Sequence, residues 1–153
     1  MNQRWIAFLR IVVGLFFLAQ GINKLDWYKS SEFLRTSLDR YAQNAPSFTL
    51  WYQNHVAYPG IEVWSRMIPT GEMVIGIALM LGLLTRPTLI MALVLVLNYH
   101  VTNGTIFSTG LIYNPYGLLL LSNLIVLLVS KAGSTFALDT SVRKKGTRIK
   151  AKP

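Results

Sequence analysis

Four long apolar stretches govern what this 153-residue chain can fold into. A helix needs roughly 20 predominantly apolar residues to cross a bilayer. Residues of about 5–25 supply the first such stretch, built around the run Ile11-Val-Val-Gly-Leu-Phe-Phe-Leu-Ala19. Stretches of about 68–84, 88–107 and 111–130 supply three more. The first lies where the apolar core of a secretory signal would also lie. Gln20-Gly-Ile-Asn-Lys24 follows it in place of a small-x-small cleavage site, so a retained helix is expected. Pro69 near the start of the second stretch and Pro115 in the first turn of the fourth sit where a missing N–H costs little. The connections after the second and third stretches are short, which makes the helices antiparallel neighbours. The expected fold class is all-α: an integral membrane four-helix bundle.

Composition agrees. Charged residues make up 14% and the mean hydropathy is +0.41, against about 25% charged residues in a soluble domain. The absence of cysteine excludes disulfides, Fe–S ligation and thiol redox chemistry. A net charge of +9 would ordinarily raise nucleic acid as a partner. Its placement argues otherwise. From Lys131 to Pro153 seven Lys and Arg stand against Asp139 alone, a net +6. The long connection between the first two stretches sets Lys24, Lys29, Arg35, Arg40 and Arg66 against Asp26, Glu32, Asp39 and Glu62, a net +1. The positive-inside rule then puts both termini in the cytoplasm, in a multi-pass membrane protein. Residues 1–142 form the expected bundle domain. Residues 143–153 form a basic cytoplasmic tail drawn to anionic lipid or to a partner subunit, and no nucleic acid is expected.

Residues 26–67 are too long for a plain turn and too aromatic for a disordered linker. Ser31 to Tyr41 places Leu34, Leu38 and Tyr41 on one helical face and Glu32, Arg35 and Asp39 away from it, with Ser30 or Ser31 as cap. After Asn44-Ala-Pro46, Phe48 to Tyr52 reads as a second short helix. An extracytoplasmic, partly helical loop is expected, lying in the headgroup region or folded over the bundle. Trp27, Trp51 and Trp64 fall in it.

Ionisable and polar groups inside a membrane are costly and each needs an account. Arg10, Gly14, Phe17, Gly21 and Lys24 share one stripe of the first helix, and the glycines allow another helix to approach closely. Arg10 either snorkels to the surface or enters the bundle. Glu72, running antiparallel, reaches the depth of Gln20 to Lys24, so a Glu72–Lys24 pair or a Glu72–Gln20 hydrogen bond is expected. Such a pair serves either as a structural lock or as part of a site. Asn98 and His100 lie in the third stretch two residues apart, hence on different faces. His100 could bond a quinone carbonyl, ligate a tetrapyrrole pigment, or simply be a hydrogen-bonded structural histidine. Asn123 suits an interhelical hydrogen bond. Gln20, Asn23, Lys24, Glu72, Asn98, His100 and Tyr116 all map to the outer half of the bundle, which implies a polar pocket roofed by the aromatic loop. Glu72 and Lys24 are the candidate catalytic pair, and Gln20, Asn98, His100 and Tyr116 the candidate cofactor-binding set. No metal-ligand cluster, Gly-rich phosphate loop or Ser/His/Asp grouping is present in the sequence.

Three patches carry a family resemblance: Arg10 to Leu25, Gly71-Glu72 through Gly76 and Gly82 to Arg86, and Asn123 with Lys131-Ala-Gly-Ser-Thr-Phe-Ala-Leu-Asp139. Together they resemble the DoxX/DoxD family of four-helix membrane proteins. The long loop with Trp51-Tyr52 is similar to the DoxD branch, which includes the membrane subunit of thiosulfate:quinone oxidoreductase. The resemblance implies quinone-linked electron transfer beside partner subunits of a larger membrane redox complex, with Arg10, Gly21, Lys24, Glu72, Gly76, Gly82, Arg86, Asn123 and Asp139 as the matching positions. The alternative is a non-catalytic accessory subunit of a respiratory or photosynthetic complex that holds lipid, quinone or, through His100, a pigment. A transporter fits poorly, since the chain has no internal repeat.

Overall fold

A computed structural model describes residues 2–114, 117–130, 132–133 and 137–138, and the described residues are helical with no strand. Helix α1 (Gln3–Ile22) is followed by a 3₁₀ turn (Leu25–Tyr28). Then come α2 (Glu32–Ala42), α3 (Ser47–Tyr52) and its π-helical continuation (Gln53–Ala57). Helix α4 (Ile61–Leu81) and α5 (Thr85–Thr102) follow, then a 3₁₀ turn (Thr105–Phe107), α6 (Gly110–Tyr113) and α7 (Leu118–Val129). The long helices α1, α4, α5 and α7 enclose one apolar core that includes Val13, Phe17, Ile75, Leu79, Leu89, Val96, Leu124 and Leu127.

Several boundaries differ from the apolar stretches. The second stretch begins at Ile61 rather than near residue 68, so Pro69 is inside the helix and buried. The added turns hold Glu62 and Arg66 and serve the loop rather than the bundle core. The third stretch stops at Thr102, where Gly104 takes a left-handed φ of +71° and breaks the helix. The fourth is broken after Tyr113 and resumes at Leu118. Pro115, Tyr116, Asp139 and the tail 143–153 lie outside the described residues. Among the described residues one helix, α1, is long and apolar enough to cross a membrane on its own composition. Charge in the first turns of α4, the polar end of α5 at Asn98 and His100, and the 12-residue length of α7 separate those helices from it.

Helices α1 and α4 make the tightest contact in the fold. A Cβ on Gly14 would fall 2.9 Å from the Gly76 carbonyl oxygen, and one on Gly76 would fall 2.6 Å from the Leu18 backbone nitrogen. Two backbones this close require glycine on both sides. The loop 26–67 forms a second, smaller core from Leu34, Leu38, Ala57 and Ile61, flanked by Trp27, Tyr58 and Trp64. It is a cap that folds over the bundle. Ser31 is the N-cap of α2, and Ser30 just before it accepts from the Glu32 N–H through Oγ at 3.1 Å.

Candidate functional site

The glycine seam sets the site. Because α1 and α4 touch along Gly14, Gly21 and Gly76, Lys24 just past the end of α1 meets Glu72 on α4. The Lys24 Nζ lies 2.7 Å from both carboxylate oxygens, and the two side chains retain 17% and 11% of their exposure. The same ammonium donates to the Gln20 backbone carbonyl at 3.4 Å and faces the Trp27 ring at 5.9 Å. The Glu72–Gln20 alternative is thereby resolved: the lysine takes the carboxylate, and Gln20 contributes its carbonyl to the lysine.

A cavity of about 230 Å³ opens beside this pair. Gln20, Lys24, Glu72, Asn98 and His100 all line it. Phe16, Phe17, Leu95, Val96 and Leu120 supply apolar wall, and Leu34, Ser37, Leu38 and Tyr41 of α2 cover it from the cap. Drug-sized ligands occupy pockets of about 300–1,000 Å³, so this space suits a single substituted ring.

Asn98 and His100 were expected on different faces, yet both reach the cavity. They do so in different ways. His100 is fully buried, its Nδ1 2.7 Å from Thr105 Oγ1 and its ring edge-on to Tyr99. Asn98 lies at the exposed rim and donates to the Tyr52 hydroxyl at 2.6 Å. The cavity is wide enough to take in both flanks of α5. Further bonds hold the cap to this end of α5. Thr49 Oγ1 donates to the Val101 carbonyl at 3.1 Å and Gln53 Nε2 to the Thr102 carbonyl at 2.8 Å. The Tyr41 and Tyr99 hydroxyls meet at 3.3 Å across the cavity wall. Burial, then the bond to Tyr99, pushes the Tyr41 phenol up to about 12.

Other sequence candidates fall elsewhere. Asn23 is exposed, Asn123 is half-buried on α7 away from the cavity, and Tyr116 lies outside the described residues. Arg10 does not snorkel. It is fully buried, and its Nη1 donates to the Ala132 carbonyl at 2.6 Å. The guanidinium enters the bundle beside Gly82 at the end of α4, where a Cβ would fall 2.8 Å from Nη1. Tyr99, Ser37 and Trp27 line the cavity without having been singled out for it. For Tyr41 the sequence signal is its place on the apolar face of α2.

Chemically the site offers a carboxylate, an ammonium, an imidazole and amide groups around a ring-sized apolar space. The DoxX family model matches residues 5–107, a stretch that contains Lys24, Glu72, Asn98 and His100. No curated protein matches, and no solved structure matches.

Proposed function

The chain belongs to the DoxX family, which is membrane-associated, and we propose that it is a multi-pass, DoxD-like subunit of the cytoplasmic membrane acting in quinone-linked electron transfer within a larger complex. The observation that carries this reading is the Lys24–Glu72 pair set in the wall of a ring-sized cavity beside Gln20, Asn98 and His100. Intramembrane ion pairs are costly and mark functional sites by default. Four spans are supported by large apolar side chains exposed along each long helix: Trp5, Phe8 and Leu15 on α1, Val74 and Ile77 on α4, Ile90 and Val94 on α5, Leu119 and Ile125 on α7. Such surface suits hydrocarbon. In this reading both termini are cytoplasmic, the bundle occupies residues 1–142, and 143–153 is the basic tail at the lipid surface.

The cavity fits a quinone headgroup: apolar and aromatic walls would flank the ring, and amide, hydroxyl and imidazole groups stand at its edges. Quinone, when bound, supplies a two-electron, two-proton acceptor. The chain's own part is to hold and orient it and to move protons. Glu72, a carboxylate at rest beside Lys24, takes up and passes on protons at its oxygens, and Lys24 keeps that carboxylate in place. Gln20 and Asn98 orient the ring, and the bond from Thr105 fixes the His100 imidazole against the cavity. Tyr116 is retained as a further candidate in the set. With no cysteine for a thiol relay, electrons come from a partner subunit that oxidises a reductant such as thiosulfate.

The test is purification in mild detergent, an absorbance spectrum, and thiosulfate-dependent quinone reduction. Loss of activity in Glu72→Gln and Lys24→Ala with the complex intact supports the reading. Co-purification with large redox subunits and no turnover overturns it in favour of an accessory subunit. That second reading draws on the lysine bonding entirely within the protein, as a helix lock would. For topology, a cytoplasm-active reporter is expected to work at Pro153 and fail near Asn44.

A further inference from the structure

We propose that Glu72 is the residue that sets the ligand class of the cavity: by cancelling Lys24 it makes the site one for an uncharged ring and closes it to small anions. This rests on the reading of the cavity as the ligand site.

The argument begins with the donors of Lys24. An ammonium has three N–H donors. Two directions are taken by the Glu72 carboxylate oxygens, each at 2.7 Å, and the third points to the Gln20 carbonyl oxygen at 3.4 Å. The Trp27 ring covers a remaining side at 5.9 Å. No donor is left for a bound anion. Among the described residues no other Asp, Glu, Lys or Arg lines the cavity, so the side chains of this type contribute no net charge to it. An anion entering would lose its hydration without a cation to replace it, and burial of an uncompensated charge is strongly unfavourable. A neutral ring loses little, because apolar wall from Phe16, Phe17, Leu95 and Leu120 receives it and hydroxyl and amide groups meet its polar atoms. Selectivity here comes from a repulsive element, the carboxylate, as much as from attraction. In the assembled system an oxyanion reductant therefore reacts elsewhere, on the partner subunit, and this cavity serves the neutral member of the couple.

The test uses the full chain in detergent at fixed ionic strength. Calorimetric titrations are run with 2,3-dimethoxy-5-methyl-1,4-benzoquinone and, separately, with thiosulfate. Wild type is expected to bind the quinone and to show no saturable heat with thiosulfate. Glu72→Gln releases Lys24 and is expected to tighten thiosulfate binding by at least about tenfold. Gln20→Lys, which adds a second cation that Glu72 cannot cancel, is expected to do the same and serves if Glu72→Gln does not fold. The double variant Lys24→Gln, Glu72→Gln is expected to lose the gain. Saturable thiosulfate binding by wild type overturns the inference. So does the absence of any gain in the folded single variants, or a gain that survives in the double variant. Failure of wild type to bind the quinone counts against the quinone reading alone, since the thiosulfate comparison is scored separately.

Discussion

Helix α1 carries a buried cation toward each end, and the protein treats the two in opposite ways. Arg10 is wholly enclosed and donates to the backbone carbonyl of Ala132 just after α7. Lys24 is held by a carboxylate, keeps some exposure, and borders a ring-sized cavity. Both lie on one stripe with Gly14 and Gly21, so the helix face is common to the two. What differs is what packs against it. At the Arg10 end Gly82 stands against the guanidinium, and Arg10 keeps no exposure. At the Lys24 end the cap is suspended from α5 by side-chain bonds and leaves a gap between α2 and the bundle. A buried cation with packed surroundings is a clasp. The same charge beside a gap is a candidate site.

That contrast can be broken by substitution. The largest effect is expected for Arg10→Ala, which leaves a buried carbonyl without its charged donor and opens a void. A stability loss of about 3 kcal/mol follows, read from the denaturation midpoint in detergent. A shift indistinguishable from zero would mean that the Arg10 end is no clasp. Glu72→Gln is next. Quinone reduction by the complex should fall by about 100-fold or more, in keeping with loss of a positioned proton carrier, while the midpoint falls less than for Arg10→Ala, because Lys24 keeps part of its exposure and borders an open cavity. If activity and midpoint fell together, the two ends would be alike. Gly76→Ala tests the seam that serves both. Its Cβ would sit 2.6 Å from the Leu18 nitrogen, so α1 and α4 must separate at a cost of about 1–2 kcal/mol. Thermal unfolding and quinone reduction should both suffer.

The smallest effect concerns the cap. Tyr41 is pushed up to about 12 by burial and by Tyr99, and Tyr58 up to about 12 by burial and by its bond to Asp39. Each phenol ionises more readily in the unfolded chain, near 10, than in the folded one. Their contribution to stability is complete below that value and is lost as pH rises from 10 toward 12. Spectrophotometric titration should show these two phenols ionising late. Tyr41→Phe should cost under about 1 kcal/mol at neutral pH and flatten the alkaline decline.

Much of the site was legible before the fold. Spacings of four and three on α1 put Gly14, Gly21 and Lys24 on one face, and antiparallel depth brought Glu72 to the level of Gln20 to Lys24. Periodicity also placed Leu34, Leu38 and Tyr41 on one face of α2, which the structure turns toward the cavity. Other features were hidden for physical reasons. The start of α4 at Ile61 could not be read, because Pro69 signals a helix start and Glu62, Ser65 and Arg66 interrupt the apolar pattern before it. The break between Tyr113 and Leu118 coincides with Asn114-Pro115 and Gly117, turn-forming residues set inside an otherwise apolar stretch. The convergence of Asn98 and His100 on one cavity depends on the cap, which gives Asn98 a partner in Tyr52, 46 residues away.

The sequence by itself determined the helical class, the glycine face of α1, an aromatic, partly helical loop and the level at which Glu72 meets Gln20 to Lys24, because each follows from local spacing and from the cost of unpaired charge in apolar surroundings. Only the tertiary structure decided that the loop folds over the bundle, that Lys24 rather than Gln20 takes the carboxylate, whether Arg10 turned outward or inward, where α4 begins, and that a space rather than packed side chains lies beside Glu72. Those depend on how the outer elements close over the bundle, and packing between segments far apart in the chain leaves no periodic trace in either of them.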